Sequence, residues 1–355
     1  MTPELGLIEG FFGRPWSWEE RREAVRRLVP HGYRFFLYAP KADPYLRRRW
    51  LEPHPPEALD EIAAFAGFCR GQGVRFGIGL TPFELHLAPE EDWRPLIDAK
   101  LDMLSDLPID DLAILFDDMR GDVPGIAERQ AAIVAHAAAR GLASRLLCCP
   151  SYYSDDPVLD RAFGPRPDLY LETLGRLLDP AVEIMWTGEE VCSREISPGH
   201  IERVAQQIGR KPFLWDNYPV NDGPRMSQHL HLRAFTGRPA AIGEHLAGHA
   251  VNPASQPWLS LAPAVTLAMS YAQGDAYRYG AAFDEAAADL YGPDLARRLR
   301  LDLLSFQDRG RDRIAPERRA ELRAIYAGFG HPAADEVVAW LEGLYEIGEE
   351  EVHTQ

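Results

Sequence analysis

Residues 111–122 read DLAILFDDMRGD, and the two halves of this stretch require opposite surroundings. Leu112 to Phe116 are all apolar. A run of that length closed by polar residues has the size of a buried parallel strand and is too short for a buried helix. Asp117 and Asp118 follow at once. Carboxylates are disfavoured inside strands, so a pair at the end of one needs a polar destination. Outward from this point the same alternation repeats about eight times along the chain, as in a (β/α)8 pattern. Short apolar or aromatic runs at Gly6–Glu9, Arg34–Tyr38, Arg75–Leu80, Asp111–Phe116, Arg145–Cys149, Val182–Trp186, Pro212–Trp215 and Ala240–Gly243 read as strands, each bounded by Gly, Pro or Asp.

Amphipathic stretches lie between them. Ser17 with Glu20 sets a capping-box pattern ahead of EERREAVRRL. Pro56–Gln72 gathers Leu59, Ile62, Ala63 and Phe65 near one face, and Trp93–Leu107, Ile126–Arg140 and His200–Ile208 read the same way. Strands alternating with helices predict βαβ units on a parallel sheet, and eight such units close into a barrel. The expected fold is α/β, a TIM-type (β/α)8 barrel over residues 1–275. Past that point Phe283–Tyr291, Pro293–Leu304, Pro316–Gly328 and Pro332–Ile347 all read as helices, several with Pro near the start. They predict a C-terminal helical region over residues 276–355.

Of the 355 residues, 46% are hydrophobic and 26% charged, ample for a core. The formal net charge of −16 repels nucleic acid and anionic membrane. Neither is an expected partner, and a neutral or weakly polar ligand suits that field. The opening MTPELGLIEGFFGRPW lacks the basic start and apolar run of a signal peptide. No stretch reaches the ~20 apolar residues of a membrane helix. A cytoplasmic protein is therefore expected. Cys69, Cys148, Cys149 and Cys192 show no CxxC spacing and read as reduced thiols. The basic run Arg47–Arg49 reads as a solvated face. No cofactor is expected, and the oligomeric state stays open, a homodimer included.

Barrel enzymes place their sites at the C-terminal ends of the strands, so the residues just past each run are the candidates. Lys41 follows YAP, Tyr153 follows CCPSY, WDNYPVND carries Trp215, Asn217 and Asp222, and GHAVNP carries Asn252. Trp215 offers a sugar-stacking face, while Asn217 and Asp222 offer partners for hydroxyl and amide groups. Each has an ordinary reading too: core filling for Trp215, turns for the asparagines, surface for Lys41. Their convergence on one end of one barrel favours a site. Adjacent strand residues point to opposite sides, so Asp117 and Asp118 serve one ligand only where the strand end bends. The usual nucleophile and acid of a glycosidase flank the scissile bond from separate segments. Adjacent carboxylates suit a substrate-assisted mechanism instead, in which a sugar's own 2-acetamido oxygen is the nucleophile.

In order, IEGFFGRPWS, LYAPKADPY, ILFDDM, CCPSYYS, MWTGEEVCSREI, WDNYPVND and the NP of AVNP resemble the catalytic domain of glycoside hydrolase family 84. That family comprises the O-GlcNAcases and related bacterial β-N-acetylglucosaminidases, and the resemblance runs from about Leu5 to about Tyr271. It implies that Asp117 orients and polarises the acetamido group, and that Asp118 acts as general acid and then general base. A general acid must start protonated, so a raised pKa is expected for Asp118, with the charge of Asp117 contributing. By the same resemblance Gly10 meets the sugar through its backbone, Lys41 contacts a hydroxyl, and Tyr153 lies near the acetamido group and anomeric centre. Trp215 and Asn217 line the acetamido pocket, and Asp222 and Asn252 reach ring hydroxyls. The implied partner is an N-acetylglucosamine-containing glycoside or glycoprotein. Phe12, Tyr152, Gly223 and the segment TPFELHL depart from the family pattern, which touches the groove around the sugar more than the reaction.

Three other readings compete. A hyaluronidase- or chitin-oligosaccharide-type hexosaminidase is opposed by the acidic charge and the missing leader. A metal-dependent hydrolase would use His229, His231, His245 and His249 with the aspartates. GEHLAGH, however, lacks the Glu after its first His and has helix-opposing glycines, so no metal site is expected. A non-catalytic sugar-binding protein is opposed by the presence of both aspartates.

Overall fold

The computed structural model describes residues 2–355. Eight parallel strands close a barrel in chain order: β1 (Leu5–Glu9), β2 (Tyr33–Tyr38), β3 (Arg75–Leu80), β4 (Asp111–Leu115), β5 (Arg145–Cys149), β6 (Glu183–Trp186), β7 (Phe213–Asp216) and β8 (Gly248–Val251). β8 pairs back onto β1, Leu5 opposite His249. Helices α1 (Trp18–Leu28), α2 (Pro56–Gly71), α3 (Glu90–Leu104), α4 (Ile126–Ala139), α5 (Pro157–Phe163), α6 (Tyr170–Leu177), α7 (Pro198–Ile208) and α8 (Leu261–Gln273) surround it. The capping box at α1 is present as read, with Glu20 N 3.3 Å from Ser17 Oγ and Ser17 N 2.6 Å from Glu20 Oε2.

Seven strands lie where the apolar runs predict them, within a residue at either end. The eighth does not. Ala240–Gly243 belongs to a 3₁₀ helix, Ala240–His245, and the strand is Gly248–Val251. The apolar-run criterion fails because β8 carries a histidine. His249 is fully buried, yet both ring nitrogens have partners, Nε2 with Asp216 Oδ2 at 3.0 Å and Nδ1 with the Tyr271 hydroxyl at 2.9 Å. A hydrogen-bonded polar group can be buried where an unpaired one cannot. The β7–β8 crossover has 3₁₀ turns, Met226–Gln228 and Ala240–His245, in place of an α-helix.

Helices α9 (Tyr279–Tyr291), α10 (Pro293–Leu303), α11 (Pro316–Ala327), α12 (Pro332–Glu342) and α13 (Glu349–Thr354) follow. α12 stops five residues short of the Ile347 expected from the sequence pattern, with Gly343 at its C-cap. These helices do not stand apart. Phe306, Tyr326 and Trp340 belong to the same buried apolar cluster as the barrel. Glu336 on α12 accepts from Trp258 N and Leu259 N at 2.8 and 2.9 Å, in the segment after β8. Among the described residues no helix is long and apolar enough to cross a membrane.

At the N-terminal end of the barrel the strand starts are tied together by charge. Arg75 bonds Glu4 at 2.6 and 2.8 Å and Asp111 at 3.1 Å, and Arg145 bonds Glu183 at 2.6 and 2.9 Å and Glu4 at 3.2 Å.

Candidate active site

The ladder of β4 continues one residue past the strand, Phe116 N donating to Cys149 O at 2.9 Å. The backbone then turns. Asp118 adopts φ +58°, a left-handed conformation that aspartate tolerates better than most residues but that costs energy outside glycine. This is the bend that two adjacent carboxylates need to serve one ligand. Both now face Lys41, whose Nζ forms a short ion pair with Asp117 Oδ2 and lies 3.6 Å from Asp118 Oδ2. The Tyr153 hydroxyl donates to Asp118 Oδ1 at 3.0 Å. The Lys41 and Asp117 side chains are 3% and 6% exposed, that of Asp118 24%, so Asp118 is the one open to an incoming group.

The opposite wall comes from β7, β8 and β1. Asn217 Nδ2 donates to Val191 O at 2.8 Å, and Asn217 Oδ1 accepts from Asn252 Nδ2 at 2.9 Å. Asn252 Oδ1 in turn accepts from Gly10 N at 3.3 Å. Trp215 lies so close to β1 that a Cβ on Gly10 would sit 2.4 Å from its Cζ2, and only glycine fits there. Asp222 Oδ2 accepts from Phe12 N at 2.9 Å. Two buried polar atoms in these walls have no hydrogen-bond partner: Asp117 Oδ1 and Trp215 Nε1.

Gly10, Lys41, Asp117, Asp118, Tyr153, Trp215, Asn217, Asp222 and Asn252, the residues named from sequence, all line one pocket of about 250 Å³. That is close to the lower end of the range for small-molecule sites, ~300–1,000 Å³. Cys149, Thr187, Cys192 and Val352 also line it and were not expected. Cys149 ends β5, so its position just before the Tyr153 segment was a usable signal. Val352 lies far along the chain in α13, and nothing local marks it.

The electrostatics differ from expectation at one point. Burial pushes the Asp118 carboxyl up, but Lys41, Arg47 and the Tyr153 hydroxyl outweigh it and hold the group below the usual carboxylate range. The expected raised value counted the neighbouring negative charge and missed the lysine set between the two aspartates. The raised carboxyl is Asp222, pushed to about 6 by burial with the charge of Asp118 adding, against the Phe12 N–H. Burial and the two aspartate charges push the Tyr153 phenol well above its ordinary range, keeping it a neutral donor.

The histidines do not assemble a metal site with these carboxylates. His229 Nδ1 meets Gln307 O at 2.9 Å, His231 Nδ1 meets Val220 O at 2.8 Å, His245 pairs with Glu202 and His249 with Asp216. Among the described residues no group of three His, Cys, Asp or Glu side chains is placed to hold a metal ion.

A family model described as beta-N-acetylglucosaminidase matches residues 5–304. The Protein O-GlcNAcases of Rattus norvegicus and Mus musculus are each 31% identical over 258 residues, covering 70% of this chain and 28% of the relative. The chain therefore spans less than a third of the length of these relatives. A solved mutant of the O-GlcNAc hydrolase of Thermobaculum terrenum is 25% identical with a TM-score of 0.77, covering 95% of this chain and 80% of that one. With the barrel, the pocket and a family match over most of its length, the chain belongs to the β-N-acetylglucosaminidase family, glycoside hydrolase family 84.

Proposed function

We propose that this protein is a retaining β-N-acetylglucosaminidase that removes terminal β-linked N-acetylglucosamine, including from glycosylated Ser or Thr of proteins, by substrate-assisted catalysis. The observation that carries this reading is the left-handed Asp118, which turns adjacent carboxylates into one pocket sized for a single sugar. Asp117 and Asp118 are the catalytic pair. Gly10, Lys41, Tyr153, Trp215, Asn217, Asp222 and Asn252 hold the sugar. Residues 1–275 supply these groups and residues 276–355 buttress them. A cytoplasmic setting fits the net charge of −16 and four cysteines outside any disulfide.

In the first step the acetamido N–H donates to Asp117 Oδ1, the buried acceptor that lacks a partner. That bond shifts electron density onto the carbonyl oxygen, which attacks C1 as the bond from C1 to the aglycone oxygen breaks. Asp118 gives its proton to the departing oxygen. Water then attacks C1 of the oxazoline, its proton passes to Asp118, the oxazoline C1–O bond breaks and the amide is restored. Two inversions at C1 give net retention.

Asp118 must be protonated for the first step, and Lys41 opposes this in the empty pocket. A sugar hydroxyl that accepts from Lys41 weakens the opposition, and a sugar covering Asp118 excludes water from it. Both changes raise its pKa. The test is hydrolysis of an aryl β-N-acetylglucosaminide followed by NMR. The β-anomer of N-acetylglucosamine should form first, and the α-anomer forming first would overturn the mechanism.

A further inference from the structure

The segment after α12 crosses the mouth of the barrel. On the β7 side Ile347 N donates to Ser227 Oγ at 3.3 Å, beside the Ser227 carbonyl that accepts from Trp340 Nε1 of α12 itself at 3.1 Å. On the β1 and β2 side Gly13 N donates to Gln355 Oε1 at 2.7 Å, and Arg47 Nε donates to the Gln355 carbonyl at 2.8 Å. Between these anchors Val352 lines the pocket. The anchors flank one edge of it. Ser227 follows shortly after Asp222, and Gly13 follows Phe12, whose N–H bonds Asp222. Ile347 fills the space beside Gly13, where a Cβ would come within 2.5 Å of Ile347 Cδ1.

Arg47 makes the second anchor specific. It opens a basic run that reads as a solvated face, and Arg48 and Arg49 are indeed exposed. Arg47 is only 3% exposed, its guanidinium 5.8 Å from the Phe12 ring and 5.5 Å from the Phe83 ring. Its Nη1 has no partner. Burying a charged group with an unmet donor is costly, so a surface role does not account for it.

We propose that Ile347–Gln355, latched by Arg47 and facing the sugar through Val352, is a specificity element that admits only an N-acetylglucosamine unit with its ring-hydroxyl edge unsubstituted. This rests on the proposed glycosidase reading, in which Asp222 and Asn252 hold those hydroxyls. A substituent there would need the space that Val352 occupies, whereas the aglycone departs past Asp118. Rejection by occupied volume is discrimination against a competitor, not added affinity for the substrate. The element therefore restricts the enzyme to chain-terminal sugars and bars a polysaccharide threaded through the pocket.

The test compares kcat/KM for an aryl β-N-acetylglucosaminide with its 4-O-methyl and 6-O-methyl ethers, in the full chain and in Val352→Ala and Arg47→Met. All these substrates meet the same Asp118, so the preference ratio is insensitive to changes in its pKa. Wild type should prefer the parent by roughly a hundredfold or more over at least one ether. Each variant should cut that preference by about tenfold, the scale of one methyl group in a tight pocket. Ratios unmoved within about twofold in both variants, or a wild type indifferent to both ethers, overturn the proposal while leaving the glycosidase reading intact. No hydrolysis of the parent glycoside overturns both.

Discussion

The two ends of the barrel hold charge in opposite ways, and β4 shows it within one strand. At its start Asp111 sits in a closed network with Arg75, Arg145, Glu4 and Glu183, each charge met by an opposite one. At its exit Asp117 keeps a buried oxygen without a partner and Asp118 holds a strained backbone. Burial raises a carboxyl at each end, Asp111 and Asp222, so the unmet oxygen and the strain are what set the exit apart. The start of the barrel satisfies its polar groups within the protein. The exit leaves some of them for a ligand. Perturbed and unmet groups gathered in a concave pocket mark a functional site, and satisfied ion pairs mark scaffolding.

The largest expected effect lies at the exit. Asp117→Asn and Asp118→Asn should each lower kcat/KM on an aryl glycoside by about 10²–10⁴-fold, the range for losing one proton-handling group. At Asp118 asparagine tolerates the left-handed region, so the melting temperature of Asp118→Asn should hold, whereas Asp117→Asn uncouples the buried Lys41 and should also lower it. Asp118→Asn should be hurt less when the leaving group is excellent and needs little proton assistance. Full activity in both variants would erase the distinction between the two ends.

The converse applies at the start. Arg145→Met strands Glu183 and weakens the hold on Glu4, so the melting temperature should fall by several degrees. Its kcat/KM should stay within about twofold of wild type, because surface and scaffold changes away from the site act on stability. Loss of activity at unchanged stability would contradict a purely structural role.

The smallest effect sharpens the electrostatics of the exit. Lys41 lowers the Asp118 pKa, so the acid form survives to a lower pH in the free enzyme than with sugar bound. The basic limb of kcat/KM should therefore lie at lower pH than that of kcat. Lys41→Met removes the lowering charge, raises the Asp118 pKa and should move the kcat/KM limb to higher pH.

How much of this was legible in the sequence follows the distance over which each feature is decided. β4 and the position of its aspartate pair at the strand exit are local, an apolar run and two charges, and the structure has both where the sequence pattern puts them. β8 was misplaced because burying His249 depends on Asp216 and Tyr271, 33 and 22 residues away. The Asp118 pKa was misjudged because its main opposing charge, Lys41, stands after a different strand. Arg47 read as solvated because the groups around it, Phe12, Phe83 and the Gln355 oxygen 308 residues further on, come from distant parts of the chain. Composition and periodicity report neighbours in the chain, and these groups are governed by neighbours in space.

Substrate assistance is tested most directly by changing the nucleophile in the substrate. Replacing the N-acetyl group of an aryl β-glucosaminide by N-trifluoroacetyl makes the carbonyl oxygen a far weaker nucleophile and adds little volume. If that oxygen attacks C1, wild-type kcat/KM should fall by at least about a hundredfold, roughly 3 kcal/mol of barrier. Equal rates for the two substrates would mean that the acetamido group takes no part, and that Asp117 and Asp118 work in some other way.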